Sequence, residues 1–147
     1  MSTYNTDFYA WTMEQAEHLK TGQWQHLDIE NLVEEIESLG KREKQELRNR
    51  LRILIGHLLK WQYQPEKQSN SWQATIREQR RRIIQHLEEN PSLQSYLPEA
   101  FQLGFEDGVD LAVQETNLPE EIFPTNCPYT LDQTLDAEFL PNTHEKS

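Results

Sequence analysis

The sequence predicts an all-α fold, a helical bundle of about five helices with a proline-rich C-terminal extension. Three observations carry that prediction. Apolar residues recur at spacings of three and four; capping residues, glycine or proline bound the segments that show this; and no stretch alternates apolar with polar residues as a half-buried strand does.

Each element follows in order. Asp7 caps a first helix whose apolar positions are Phe8, Trp11, Gln15/Ala16 and Leu19, and Thr21–Gly22 stops it. Asp28 caps a second, with Ile29, Leu32, Val33, Ile36 and Leu39 on one stripe and Glu30, Glu34, Glu35 and Glu37 around it. Gly40 ends or bends that helix, and a third runs from about Lys41 to Tyr63. Nearly every position from Ile53 to Leu59 is apolar or glycine, which makes this stretch the expected centre of the core. Pro65 breaks the third helix, and Ser71 caps a fourth from Trp72 to about Glu89, with Trp72, Ile76, Ile83, Ile84 and Leu87 inward. Asn90–Pro91–Ser92 is a stop and restart before a fifth helix from about Pro98 to Thr116. Gly104 and Gly108 in that helix lower its propensity by about 1 kcal/mol each, so they mark a close helix–helix contact. Prolines then punctuate the chain, with short turns at 120–123 and 130–135 and with Phe123, Tyr129, Leu131 and Phe139 pinning it down. The expected organisation is one domain over residues 1–141 and a flexible tail over 142–147.

Charge narrows the function classes. The chain has 147 residues, 14 Lys plus Arg against 25 Asp plus Glu, and a net charge of −11. Apolar residues make up 35%, below the roughly 45–50% of ordinary globular chains. No apolar run is long enough to span a membrane and no secretory leader opens the chain, so the expected setting is the cytoplasm. A single cysteine, Cys127, makes no intramolecular disulfide. The charge is segregated along the chain. Residues 1–40 hold one base and eight acids (net −7), residues 41–82 twelve bases and four acids (net +8), and residues 83–147 one base and thirteen acids (net −12). An overall negative charge argues against a general nucleic-acid coat, while the basic middle third can still present a local anion-binding face.

Five ordered blocks carry a family resemblance: DFYAWT at 7–12, ENLVEEIESLG at 30–40, HLLKWQYQP at 57–65, SWQATIREQR at 71–80 and CPYT at 127–130. Together they resemble the bacterial, largely cyanobacterial family named domain of unknown function 29, over about residues 7–141. The resemblance implies a compact all-helical protein and no activity. No functional residue is carried over from it.

Candidate chemistry therefore comes from the residues. Arg50 and Arg52 precede His57 by seven and five positions, and seven residues along a helix return nearly to one face. The Arg-x4–6-His spacing is similar to the signature of the metal-independent HEPN ribonucleases. That resemblance implies His57 as acid/base at the ribose 2′-hydroxyl and Arg50 or Arg52 holding the phosphate. The residue after each arginine, usually polar there, is Leu51 or Ile53. The competing reading makes His57 a core residue bonded to a carboxylate of the Glu30–Glu37 segment.

A second set, Lys60, Trp61, Trp72, Arg77, Arg80 and Arg81, interleaves aromatics with cations and suits a nucleic-acid or acidic-partner surface, or simple packing under a basic outer face. A metal on Glu30, Glu34, Glu35 and His57 is disfavoured, because helical di-metal sites use Glu-x-x-His pairs and the nearest approach is Glu14–His18, four apart. No metal or cofactor is expected. The reading reached from the sequence is a small interaction or regulatory module acting through a charge-segregated surface. Its expected partner is an unidentified protein, with RNA next, no membrane, and a second copy of itself as a further candidate. The alternative is the HEPN-like endoribonuclease.

Overall fold

The computed structural model describes residues 3–142, and among these it is all-α, with five α-helices and no strand. Five of the six residues read as a flexible tail, 143–147, lie outside the described residues. The helices are α1 (Phe8–Lys20), α2 (Ile29–Tyr63), α3 (Asn70–Glu89), α4 (Leu97–Thr116) and α5 (Leu131–Leu135), joined by short 3-10 turns. No helix is long and apolar enough to cross a membrane. The chain divides into two compact units, with the division between Arg42 and Glu43.

The first unit is organised around one indole. The Asp7 carboxylate accepts the Ala10 amide at 3.0 Å and starts α1, and Gly22, at φ +70°, takes the left-handed turn after it. Trp11 is buried, with the rings of Tyr4 and Phe8 against it at centroid distances of 4.8 and 5.5 Å. Its Nε1 donates to the Asp28 carboxylate at 3.0 Å, and Gln15 Oε1 accepts the Asp28 amide at 2.8 Å. Asp28 also caps α2, accepting from the Asn31 amide and side chain. The Tyr4 hydroxyl donates to the Glu35 carboxylate, which together with Glu34 and Asp28 pushes its pKa up to about 12.

Little else in this unit is covered. Of the predicted stripe of the second helix, Ile29, Val33, Ile36 and Leu39 are 47–66% exposed, and Leu32 is half-buried. Phe8, Met13, Leu19 and Trp24 are exposed as well. Scattered apolar residues on a surface are ordinary, but a four-residue stripe at helical spacing is not.

Gly40 does not end the helix: the predicted second and third helices are one helix, α2, of 35 residues. Nothing lies within 4 Å of a Cβ placed on Gly40, so its only effect is its propensity, a local loss of about 1 kcal/mol that the helix formers on both sides outweigh.

The second unit packs the rest of α2 against α3 and α4. Leu47, Leu51, Leu54, Ile55, Leu58 and Leu59 are fully buried, as the Ile53–Leu59 run predicts, and they cluster with Ile76 and Ile83 of α3 and Phe105 and Ala112 of α4. Glycine sets the α2–α4 distance. A Cβ on Gly104 would stand 2.8 Å from the Leu51 Cβ, and one on Gly108 would stand 3.1 Å from the Gly56 amide nitrogen. α3 starts two residues earlier than predicted: Ser69 rather than Ser71 is its cap, accepting from the Trp72 amide at 3.2 Å. Ile84, read as inward, is 43% exposed. Asn117 closes α4 in the left-handed conformation at φ 59°. Beyond it Phe123 and Tyr129 are buried in the core cluster, and Leu131 and Phe139 pack against it.

These two kinds of glycine predict opposite stability changes. Gly40→Ala has open space and should raise the unfolding free energy by about 0.5–1 kcal/mol. Gly104→Ala must displace a Cβ fixed to the α2 backbone and should lower it by about 1–3 kcal/mol. Denaturant melts of the two variants check both signs.

Candidate functional site

Two surface features of the second unit hold grouped functional side chains. The first lies along α3. Gln73, Arg77, Arg80 and Ile84 recur at spacings of four, three and four, so they share one helix face. Arg80 is buried, and it decides what that face looks at. Its Nε donates to the Thr134 carbonyl at 2.8 Å and its terminal nitrogen to the Gln133 carbonyl at 3.4 Å. Both are carbonyls of α5, a helix started by a reciprocal Thr130–Gln133 capping box. A cation at the carbonyl end of a helix meets the negative end of its dipole. Burial pulls the Arg80 pKa down, with Asp136 acting against it.

Tied this way, residues 137–140 stand opposite α3 and leave a groove of about 470 Å³. Ile76, Ile84 and Leu140 supply its apolar lining, and the exposed charges on it are Arg77 and Arg81 of α3 and Glu138 opposite them. Arg77 and Arg81 are exposed, one turn apart, and neither joins an ion pair among the described residues. A groove with an apolar lining and two unpaired guanidinium groups suits an apolar segment that carries carboxylates.

The second feature lies between α2 and α3. α2 presents Glu43, Glu46 and Arg50 at spacings of three and four. α3 presents His86, which is 5% exposed. Its Nε2 stands 2.6 Å from Glu43 Oε2 and 3.3 Å from Glu46 Oε2, while its Nδ1 is buried without a partner. Arg50 donates to the other Glu46 oxygen at 3.0 Å and to Gln79 at 3.2 Å, and its Nε is buried unpaired. These groups line a cleft of about 380 Å³ with Arg82 and Glu89. No sequence reading singled out Glu43, Glu46 or His86. The i, i+3 pair of glutamates was visible as a spacing, but the histidine that completes the group sits on another helix, and only the packing brings it there.

The residues read from the sequence fall in different places. Arg50 belongs to the cleft just described. Arg52 donates to Asn49 at 3.0 Å and borders a separate cleft with Arg48 and Asp107. His57 is half-buried, and its Nδ1 lies 2.8 Å from the Ile53 carbonyl. Its partner is thus its own helix, one turn back, and not a carboxylate of the Glu30–Glu37 segment. Both stretches belong to α2. No hydrogen bond or ion pair among the described residues joins His57 to Arg50 or Arg52.

Of the proposed surface set, Lys60 and Arg80 are buried. Lys60 is held by Glu115 at 2.7 Å and lies 4.5 Å from the centre of the Trp72 ring. Its charge is spent inside the fold. Trp61 and Trp72 are half-buried, and the Trp61 carbonyl accepts from Gln68. Only Arg77 and Arg81 of the set remain exposed cations.

Comparison with known proteins adds a family. A family model described as "Domain of unknown function DUF29" matches residues 3–140. No curated protein and no solved structure matches the chain.

His57 gives the unit a pH dependence whose sign is fixed. Burial lowers its pKa below the usual 6.5 and Lys60 adds to this, while the Ile53 carbonyl and Glu115 oppose it. The unfolded chain therefore takes up the proton first as the pH falls, so this contribution to stability is complete above 6.5 and is lost below it. Thermal melts across that range should show a smaller acid-side loss for His57→Gln than for the parent protein.

Proposed function

The chain belongs to the DUF29 family, whose description carries no activity, and from its surfaces we propose that it is a self-associating interaction module. The acidic apolar stripe at 29–39 of one copy seats in the arginine groove on α3 of another. A single observation carries this reading, the match between stripe and groove. The stripe offers Ile29, Val33, Ile36 and Leu39 uncovered, within a 40-residue segment of net charge −7. The groove offers Ile76, Ile84 and Leu140 with two exposed cations, Arg77 and Arg81, against one carboxylate, Glu138. Lengths agree too: residues 29–39 of a helix span about 15 Å and residues 73–84 about 16 Å.

Charge selects a second copy or a similar acidic helix over a nucleic acid. A phosphate backbone meets a chain of net −11, whereas the stripe brings its own apolar area along with its carboxylates. Burial of the stripe supplies the affinity, and the glutamates beside it (Glu30, Glu34 and Glu37) supply the orientation against the two arginines. The module's regulation then rests on concentration and ionic strength, since exposed charge pairs weaken with salt.

Sedimentation of the full chain over a wide concentration range tests this. The parent protein should associate at micromolar concentration. Ile36→Asp and Arg81→Glu should each weaken association at least about tenfold, equivalent to 1.4 kcal/mol. Mixing the two variants is the decisive arm. One retains a sound groove and the other a sound stripe, so together they should form a one-to-one complex that neither forms alone. A parent protein that stays monomeric throughout sinks the proposal. RNA retention that depends on Arg77 and Arg81, in a chain that does not self-associate, would replace it with the nucleic-acid reading.

A further inference from the structure

The cleft between α2 and α3 has a donor set that hydrogen bonding alone leaves poorly matched. A neutral His86 has one ring proton. Placed on Nε2, it serves one of the two carboxylate oxygens that face this nitrogen at 2.6 and 3.3 Å, and Nδ1 is left buried with nothing to bond. The placement of the ring brings its Nε2 to two carboxylates at once.

We propose that Glu43, Glu46 and His86 hold one divalent first-row metal ion of zinc-like chemistry. Three ligand atoms, one from each side chain, lie within 4.8 Å of one another. Two donors on a tetrahedral ion with bonds of about 2.0–2.2 Å stand about 3.3–3.6 Å apart. The His86–Glu46 separation of 3.3 Å already meets that requirement. Glu43, at 2.6 Å, has only to draw back by less than about 1 Å, and its side chain is 45% exposed and free to do so. One imidazole and two carboxylates suit zinc and its neighbours better than calcium or magnesium, which take oxygen donors.

The surroundings fit such an ion. The imidazole comes from a buried residue, which fixes its direction, and Arg50 orients the second glutamate through the oxygen that does not face the ring. Three protein donors leave a fourth position facing the cleft, the arrangement of zinc sites that bind a water or an anionic ligand group. Arg50 and Arg82 line the same cleft, so the class of ligand is a small anion such as a carboxylate or phosphate. The inference is independent of the arginine groove, which lies on a different face of α3.

The test is a titration of the chelator-stripped full chain with Zn²⁺, followed by calorimetry, and with Co²⁺, followed by its ligand-field absorption. One equivalent should bind, the cobalt spectrum should be that of a four-coordinate ion, and Zn²⁺ should raise the melting temperature. Glu43→Gln, at an exposed side chain, should retain the fold and weaken binding at least tenfold, as should His86→Gln. Should His86→Gln fail to fold, Glu46→Gln serves in its place. Glu17→Gln, at an exposed acid of α1, should leave binding unchanged. Absence of saturable binding overturns the proposal. So does saturable binding that Glu43→Gln leaves intact or that Glu17→Gln weakens, since the ion would then sit elsewhere.

Discussion

The second unit depends on one steric constraint, the glycine contact between α2 and α4. Where Gly56 faces Gly108 and Gly104 faces Leu51, the two helices approach so closely that a Cβ added on α4 would stand 2.8 Å from the Leu51 Cβ or 3.1 Å from the Gly56 amide nitrogen. Close approach lets the leucines of α2 reach past the contact, so Leu51, Leu54 and Leu58 form one cluster with Phe105 and Ala112. Tight packing of this kind is sensitive to single methyl groups. With α2 and α4 set, α3 has one remaining side of α2 to cover, and that placement brings His86 to Glu43 and Glu46.

A contrast between the units follows. The second unit buries its apolar residues and even internalises Lys60 and Arg80, each with a partner that neutralises it or accepts its hydrogen bonds. The first relies on Trp11 and on the Asp28 carboxylate, which receives the indole proton and caps α2 with the same side chain. With so small a core of its own, the first unit would gain stabilisation from covering its apolar stripe, in proportion to the area removed.

Helix existence was legible in the sequence, because capping residues and three–four spacing act locally. Asp7, Asp28 and the Ile53–Leu59 run behave as their positions imply. Gly40 was harder to read: a single glycine costs about 1 kcal/mol, too little to decide between an end and a continuation. Ser69 and Ser71 are both of a capping residue type, and they stand only two residues, about half a helical turn, apart. The candidate sites were less legible still. Lys60 and Arg80 look like surface cations until Glu115 and the α5 carbonyls, 55 and 54 positions away, claim them. Such partners are fixed by packing, which no local pattern encodes.

The Arg80–α5 tie also orders events in time. The groove's two sides come from distant parts of the chain, α3 at 73–84 and the segment at 137–140. During synthesis at about 5–20 residues per second, α3 emerges roughly 3–11 s before the segment that completes the groove. Until then Arg80 has no carbonyls to hold and one side of the groove does not exist. A nascent chain thus displays its acidic apolar stripe well before its α3 groove is complete.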